Sequence, residues 1–306
     1  MGYKQYQQMS EQRGWLNMLR ISNSPTIVSN AMVGVAITIH AHAELWSERI
    51  TPPPLELFTP LILIIAVLLL LYFSGMVFND AFDAKRDEVS KPDRPIPMGI
   101  IRVSQAWSAG FFMLGISILV AFGISVTCGL TTTALGIVIL LYTFLHHAPL
   151  FSVPLMAICR GMVFIVVVSS FSEQYFSPLL WMYSGALAFY TAVLTFVGTF
   201  ENQQQSRASY AVWLTLFPAG FIVYTSGIQS PITWGLFIVF TAWIFWAWSN
   251  FCSKEKQPVH GMHKLLSGFA LLDCIFIAAV GEYHIMVFSL ICFALTVAAH
   301  RKILGT

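Results

Sequence analysis

The chain has 306 residues, of which 57% are hydrophobic and 10% are charged, and its formal net charge is +2. A soluble globular domain carries about 25% charged residues, so this composition, with a mean hydropathy of +0.73, indicates an integral membrane protein. The sequence has no glycine-rich phosphate loop, no Cys-x-x-Cys pair and no extended basic face. We therefore expect no nucleotide, redox or nucleic-acid function.

Ten apolar runs are long enough to cross about 30 Å of hydrocarbon, which takes about 20 helical residues. They lie near 24–42, 57–78, 104–126, 129–146, 151–171, 178–200, 210–228, 231–251, 265–281 and 283–299. Only Gly281 and Glu282 separate the last two runs, so one long bent segment is the alternative. The pattern predicts a single all-α membrane domain over residues 1–306, with nine to ten transmembrane helices.

The basic residues gather on one side of these spans when the amino terminus is placed inside, and short loops rich in Lys and Arg stay in the cytoplasm. Among the loop residues only Arg49 falls outside. The predicted inside segments are 1–22, 79–103, 201–209, the basic loop 252–264 and the carboxyl end. The charged stretch after the second span is therefore predicted to face the cytoplasm.

That stretch, Phe78–Pro97, reads FNDAFDAKRDEVSKPDRPIP and contains five acidic and four basic residues. Asn79, Asp83 and Asp87 recur every fourth residue and Asp80 precedes Asp83 by three, so these side chains share one face of a helix. Crowded carboxylates repel one another, and a hard cation such as Mg²⁺ binds through carboxylates together with substrate phosphates. The pattern predicts a site for Mg²⁺ and a diphosphate.

The following segment, KPDRPIPMG at 91–99, contains three prolines that stiffen a loop able to hold basic side chains over the acidic face. The alternative for the whole stretch is a solvated helix end, where Lys85 and Arg86 screen their acidic neighbours and the loop only anchors the chain. The acidic face directly continues an apolar span, at the mouth of any cavity that the bundle encloses. This position favours a functional site.

These residues resemble the first signature of the UbiA superfamily of intramembrane prenyltransferases. The resemblance rests on Asn79-Asp80-x-x-Asp83-x-x-x-Asp87 and on Asp93-Arg94-Pro95-Ile96-Pro97-x-Gly99, with weaker similarity in Arg20-x-x-Asn23-x-Pro25 and Tyr142-x-x-x-His146. It covers about residues 15–250. It implies a UbiA-type helical bundle around a central, lipid-accessible cavity, a prenyl diphosphate donor, an aromatic or lipid acceptor, and a bacterial cytoplasmic membrane.

The resemblance also assigns roles to residues, with Mg²⁺ as the cofactor. The metal ligands would be Asn79, Asp80, Asp83, Asp87, Glu201 and Gln205. The catalytic residues would be Asp83, Asp87, Arg94 and Tyr142. The substrate contacts would be Arg20, Asn23, Lys91, Arg94, Tyr142 and His146.

The chain departs from the family pattern in its second acidic motif, at 201–209, where Glu201 is the only carboxylate. His146 also stands where the family often has lysine. Both departures reduce the charge that would hold a diphosphate. They resemble a divergent, EboC-like branch. The predicted function is an Mg²⁺-dependent prenyltransferase, and the alternative is a non-catalytic protein of this fold that binds or helps move a lipid-soluble precursor.

Two charged residues lie within predicted spans, where an unpaired charge is costly. Arg160 is predicted to contact a substrate anion, with a structural pair to a carbonyl group or Tyr142 as the alternative. Asp273 is predicted to make a structural hydrogen bond. For Trp243, Trp246 and Trp248 an aromatic belt at the membrane interface is favoured over shielding of a substrate cation. For His260 and His263 an ordinary basic loop is favoured over a metal pair.

Overall fold

The protein is described here from a computed structural model, which covers residues 11–46, 55–199, 207–225, 230–252 and 258–302. These ranges contain helices and no strands. The α-helices are α1 (Glu11–Met18), α2 (Ser24–Trp46), α3 (Leu55–Phe82), α4 (Ala84–Ser90), α5 (Val103–Ile124), α6 (Val126–Leu145), α7 (Pro149–Ser169), α8 (Pro178–Thr199), α9 (Leu216–Thr225), α10 (Pro231–Cys252), α11 (Pro258–Ala279) and α12 (Tyr283–Lys302). Short 3₁₀ turns lie at Ile21–Asn23 and Glu173–Tyr175, and a longer 3₁₀ helix, Arg207–Thr215, leads into α9.

Nine of the described helices are long and apolar enough to cross a membrane, namely α2, α3, α5, α6, α7, α8, α10, α11 and α12. Large apolar side chains also cover the outside of the bundle, with Ile62, Phe112 and Leu119 66%, 68% and 72% exposed. Such a surface suits lipid, and in lipid a helix satisfies its own backbone hydrogen bonds. The chain is therefore an integral, multi-pass membrane protein, and the predicted all-α bundle is confirmed.

The two ends of the bundle are distinguished by contacts between helix termini. At one end Arg20 contacts Asp80 and His146 contacts Asp83. This end carries residues 79–102 and is called the motif end below. Ser125 donates a hydrogen bond to the Ser169 carbonyl group at the opposite end. Successive long helices therefore run in alternate directions.

The seventh predicted span, 210–228, is not one long α-helix, so this part of the prediction was wrong. The 3₁₀ helix Arg207–Thr215 is followed by the ten-residue α9. A 3₁₀ helix rises about 2.0 Å per residue and an α-helix about 1.5 Å, so together they reach about 33 Å. Trp213 packs on Trp248 near the end of α10, with ring centroids 5.4 Å apart, and α9 packs near the start of α10. This segment thus runs along α10, and its length is close to the thickness of the hydrocarbon core.

The last two predicted spans are separate helices, α11 and α12. Gly281 lies between them with φ of +82°, in the left-handed region that favours glycine, and reverses the chain direction. The predicted alternative of one long bent helix is therefore wrong. The predicted start of α11, near 265, was also late, because the helix begins at Pro258.

The centre of the bundle is formed by α2 and α11, whose membrane segments are the most buried of the nine. Close approach to α7 depends on Gly34 in α2. A Cβ atom at that position would lie 2.5 Å from Cγ1 and 2.6 Å from Cβ of Val167. Because Val167 is β-branched and fully buried, it has little freedom to move aside.

Gly34→Ala is expected to lower the free energy of unfolding by about 1–3 kcal/mol, since overpacking separates α2 from α7. The measurement is the apparent melting temperature of the detergent-solubilised protein. Gly185→Ala is the control, because a Cβ at Gly185 meets nothing within 4 Å and should be neutral or slightly stabilising. Adding Val167→Ala to Gly34→Ala should restore part of the loss. Equal melting temperatures for Gly34→Ala and the wild type would contradict this packing argument.

Candidate active site

The acidic residues of the first motif lie at a break between two helices. α3 ends at Phe82 and α4 begins at Ala84. Asp83 has φ of −78° and ψ of −3° at the break. The backbone nevertheless keeps a helical register, because the Asp83 amide donates to the Asn79 carbonyl at 2.9 Å and the Asp87 amide donates to the Asp83 carbonyl at 2.9 Å. The break therefore leaves the motif residues in helical register.

Arg94 joins two of the motif carboxylates. One of its terminal nitrogens, Nη1, lies 3.1 Å from Asp80 Oδ1 and 2.5 Å from Asp87 Oδ2. All three side chains are at least nine-tenths buried. Arg20 adds a longer contact, with Nη2 3.5 Å from Asp80 Oδ1. Burial of two carboxylates is compensated by these charge-assisted hydrogen bonds.

Asp83 instead faces α6 and the turn that follows it. His146 Nε2 lies 3.2 Å from Asp83 Oδ2, and His147 Nε2 lies 3.3 Å from Asp83 Oδ1. Burial acts to raise the pKa of Asp83, but the hydrogen bond from His146 and the charges of both histidines and Arg94 leave it below its usual range. The hydrogen bond to Asp83 raises the pKa of His146. The lowered pKa of Asp83 and the raised pKa of His146 both favour an ion pair between these two side chains.

Asn79 also faces α6. Thr143 Oγ1 donates to Asn79 Oδ1 at 3.2 Å. The three carboxylates lie close enough for their charges to interact, as the helical spacing predicts, but the four motif residues divide into two groups by their hydrogen-bond partners. Asp80 and Asp87 turn towards the proline-rich loop, and Asn79 and Asp83 turn towards α6. The division arises because each group has a different polar partner across the bundle, which helical spacing does not reveal.

The loop after α4 brings further cations to the motif end. Partial burial and the positive charges of Arg94 and Arg20 lower the pKa of Lys91, which therefore lies close to both. Gly99 closes the loop with φ of +72°, a conformation that favours glycine. Arg20 has φ of +46° without being glycine, and its carbonyl group accepts a hydrogen bond from Tyr72 at 3.1 Å. Such a backbone is uncommon and is often found at functional sites.

An apolar cavity of about 120 Å³ begins beside this cluster. It lies between α2, α3, α6 and α7. Its polar lining residues include Asn79, Tyr142, Tyr72 and Arg160. The Tyr142 ring stacks on His146 with centroids 5.6 Å apart, which links the cavity to the histidines. The structure therefore places a small apolar space directly against the charged motif end.

Arg160 reaches this cavity from α7. Its Nη2 donates to Thr26 Oγ1 at 2.7 Å, and its guanidinium carbon lies 4.3 Å from the centre of the Phe269 ring. Among the described residues its hydrogen-bond partner is thus Thr26 rather than a carbonyl group or Tyr142, and the charge of buried Asp273 also acts on it. Its buried Nε makes no hydrogen bond to any described residue. One donor of this cation thus remains available inside the membrane.

The other predicted site residues lie elsewhere or cannot be placed. Asn23 does not line the cavity itself, but it is hydrogen-bonded to Tyr72, which does. Its Oδ1 also accepts a hydrogen bond from His300 Nε2 at 2.7 Å. Glu201 and Gln205 lie outside the described residues. His147, Thr143 and Thr26 were missed by the sequence analysis. Only the adjacent pair His146-His147 at the end of a span offered a signal.

The remaining polar groups have structural surroundings. Asp273 is completely buried and accepts hydrogen bonds from Ser29 Oγ at 2.5 Å and Asn30 Nδ2 at 2.8 Å. Trp243 donates to the Lys264 carbonyl at 2.8 Å and is not a lining residue of the cavity. His263 stacks on the ring of His300, with centroids 4.6 Å apart.

Comparison with known proteins points to one family. The sequence profile of the UbiA prenyltransferase family matches residues 35–268. The digeranylgeranylglyceryl phosphate synthase of Methanosarcina barkeri is 27% identical over 130 residues, which are 42% of this chain and 45% of that protein. The enzyme of the same name from Methanococcoides burtonii is 30% identical over 128 residues, 42% of this chain and 44% of that protein. The matched regions thus span less than half of these relatives, which are archaeal.

Solved structures share the fold. A structure of digeranylgeranylglyceryl phosphate synthase in membranes aligns with a TM-score of 0.58 and 16% identity, over 91% of this chain and 100% of that one. A UbiA homologue from Archaeoglobus fulgidus bound to GPP and Mg²⁺ aligns with a TM-score of 0.56 and 15% identity, over 90% and 99%. At such low identity the likeness concerns the fold alone. The predicted UbiA-type bundle is confirmed.

Arg94→Met is expected to lower the free energy of unfolding by about 3–5 kcal/mol, because it leaves Asp80 and Asp87 buried without a cation. The measurement is the apparent melting temperature in detergent. Arg301→Gln, at an exposed position, is the charge-matched control. Combining Arg94→Met with Asp80→Asn and Asp87→Asn should restore most of the loss, and failure of this rescue would contradict the role given to Arg94.

Proposed function

The chain belongs to the UbiA prenyltransferase family, and on that premise we propose that it is an intramembrane prenyltransferase. It would transfer an isoprenoid chain from its diphosphate to a hydrophobic acceptor. The observation that carries this proposal is the apolar cavity bordered by Asn79 and Tyr142, next to acidic and basic side chains at the motif end. The names of the relatives and the GPP bound to the Archaeoglobus fulgidus homologue support the donor class.

The diphosphate of the donor would bind at the motif end, where Arg20, Lys91 and Arg94 supply positive charge. Its apolar chain would enter the cavity. An engineered cavity of about 150 Å³ is known to hold benzene, so about 120 Å³ accommodates a group of roughly one isoprene unit. The remainder of a longer chain would extend beyond the enclosed space, or the helices would move apart to admit it.

A divalent metal fits the donor set at the motif. Asn79, Asp80, Asp83 and Asp87 present one amide and three carboxylate groups, and Asp83 Oδ1 accepts no hydrogen bond from any described residue. Asn79 and Asp83 would be the first ligands of Mg²⁺, and Asp80 and Asp87 would join when Arg94 releases them. The bound ion would neutralise charge on the leaving diphosphate. Glu201 and Gln205 remain sequence-based candidates for the same role.

The reaction begins with cleavage of the bond between the allylic carbon and the diphosphate oxygen. The electron pair leaves with the diphosphate, where Arg94, Lys91 and Arg20 stabilise the developing negative charge. The allylic cation forms near Tyr72 and Tyr142, whose ring faces attract positive charge. An acceptor nucleophile then bonds to this carbon and loses its proton. Exclusion of water by the apolar cavity protects the cation from hydrolysis.

The decisive assay is release of diphosphate from geranylgeranyl diphosphate by the purified protein in nanodiscs with Mg²⁺. Asp83→Asn and Asp87→Asn are expected to reduce release at least about 100-fold, because each removes charge that offsets the leaving group. Glu173→Gln, a carboxylate change at the opposite end, should leave the rate unchanged. Release that survives both aspartate substitutions would contradict the assignment of the site.

A second candidate function is donor binding without turnover. It is favoured by one observation, namely that all three motif aspartates already face internal cations or histidines. The motif therefore has a balanced charge before any metal binds. The same assay separates the two functions, since a binding protein would retain labelled geranylgeranyl diphosphate and release no diphosphate from it.

The acceptor class is suggested by Arg160. A cation with a free donor inside an apolar cavity favours a ligand that carries negative charge. The product named for the relatives is a lipid phosphate, which fits such a cation. We therefore include an acceptor with an anionic group in the proposal.

Arg160→Gln is expected to lower kcat/KM for geranylgeranylglyceryl phosphate by about 10- to 100-fold, because a charge-assisted hydrogen bond contributes about 1.5–3 kcal/mol. The dephosphorylated alcohol serves as the matched acceptor and should lose little. The ratio of the two values in one protein sample cancels any loss of folded protein. An unchanged ratio would remove Arg160 from acceptor recognition.

A further inference from the structure

Asp83, His146 and His147 form a cluster with the donor atoms of a metal site. One ligand atom from each residue can be chosen so that the three atoms lie within 4.8 Å of one another. The sequence predicts His146 as an anion contact, and His147 is not among the predicted site residues. The cluster therefore presents a different chemistry at the motif end, with two imidazole nitrogens and one carboxylate.

His146 is held in the orientation of a metal ligand. Its Nδ1 lies 2.7 Å from the Thr143 carbonyl oxygen, which can only accept, so Nδ1 carries a proton. Nε2 then points at Asp83 Oδ2, at 3.2 Å. Metal-binding histidines commonly donate their second N–H group to a backbone carbonyl in this way, which fixes the ring and the tautomer.

His147 needs a larger rearrangement than His146 before it can bind an ion. Its Nε2 lies 3.3 Å from Asp83 Oδ1, a carboxylate oxygen that accepts no hydrogen bond from any described residue. Its Nδ1 lies 2.8 Å from Nη1 of Arg86, which can only donate, so the ring proton is on Nε2. An ion bound at Nε2 would shift that proton to Nδ1 and displace Arg86. Because Arg86 is exposed, it can turn into solvent at little cost.

The distances suit a small transition-metal ion. Zn²⁺ binds nitrogen and oxygen at about 2.0–2.2 Å, which places neighbouring ligands of a tetrahedral site about 3.4 Å apart. His146 Nε2 lies 3.2 Å from Asp83 Oδ2 and His147 Nε2 lies 3.3 Å from Asp83 Oδ1, and one oxygen with both nitrogens fits within 4.8 Å. Binding one ion would therefore draw the three ligand atoms together by about 1 Å. Three protein ligands leave a fourth position open, as in catalytic zinc sites. The side chain of His147 is 40% exposed, so ions can reach the cluster.

We propose that Asp83, His146 and His147 bind a divalent transition-metal ion of the Zn²⁺ or Co²⁺ type in preference to Mg²⁺. Imidazole ligands suit such ions, whereas Mg²⁺ prefers oxygen. The inference goes beyond the proposed function and does not depend on it. Since Asp83 belongs to both ligand sets, an ion held by the histidines and Mg²⁺ held by Asn79 and Asp83 would exclude each other.

The test is titration of the tag-free, chelator-treated full chain in nanodiscs with Co²⁺, followed by its visible absorption bands. We expect saturable binding of about one Co²⁺ per chain, displaced by Zn²⁺ and not by millimolar Mg²⁺. His146→Ala and His147→Ala should each raise the dissociation constant at least 10- to 100-fold, the loss typical even of residues that only support a ligand. His284→Ala, at an exposed position far from the motif end, is the control.

A change at Arg86 is expected to strengthen metal binding, whereas the histidine substitutions weaken it. Arg86→Gln should lower the dissociation constant, because it frees His147 Nδ1 and removes a nearby positive charge. Lys85→Gln loses the same charge from the neighbouring exposed position, and should change the affinity less. This comparison remains decisive if a histidine variant fails to fold.

Co²⁺ binding that is unaffected by His146→Ala and His147→Ala, or displacement of Co²⁺ by Mg²⁺, would overturn the proposal. Equal affinities for Arg86→Gln and Lys85→Gln would also overturn the geometry given to His147. No prenyl diphosphate is present in this titration. A protein that binds Co²⁺ without releasing diphosphate in the separate assay would therefore refute the transferase and leave the metal site in place, and the reverse result would do the opposite.

Discussion

The motif end depends on the interaction of one guanidinium group with two buried carboxylates. Asp80 and Asp87 lie on either side of the break between α3 and α4, and neither can stay ionised in a buried place without a cation. Arg94 supplies that charge from the loop. The loop must therefore fold back over the helix break, which its prolines and the left-handed Gly99 permit. The same fold brings Lys91 close to Arg94.

This arrangement couples the binding of anions to the binding of cations. A diphosphate at the motif end would draw Arg94 towards itself and would leave Asp80 and Asp87 without their partner. A divalent ion would then have to balance those carboxylates. Conversely, an ion that reached Asp87 first would release Arg94 for an anion. The two ligands thus favour each other through a single side chain, because each removes the electrostatic cost of the other.

The fold was largely predictable, whereas the arrangement of the site was not. Apolar runs of about 20 residues identify membrane helices directly, since lipid demands them. The seventh apolar run was found at 210–228, but its form was not predicted, because apolar composition does not distinguish a 3₁₀ helix from an α-helix. Helical spacing placed Asn79, Asp83 and Asp87 on one face, but the partner across the bundle decides where each side chain turns. Contacts such as His147 to Asp83 and Asn23 to His300 join residues distant in sequence, and local patterns contain no information about them.

Asp273 and Arg160, the two charged residues within the membrane interior, have different surroundings. Asp273 in α11 is satisfied by Ser29 and Asn30 of α2, so it fixes the two central helices together and has little capacity left for a ligand. Arg160 keeps a buried donor without a partner and lines the cavity. Thr26, the Phe269 ring and the charge of Asp273 already stabilise this cation in part. An anion bound at the free donor would offset more of the cost of its burial. Under the proposed function, the cavity would be selective at two depths, for a diphosphate at the motif end and for a second negative charge beside Arg160.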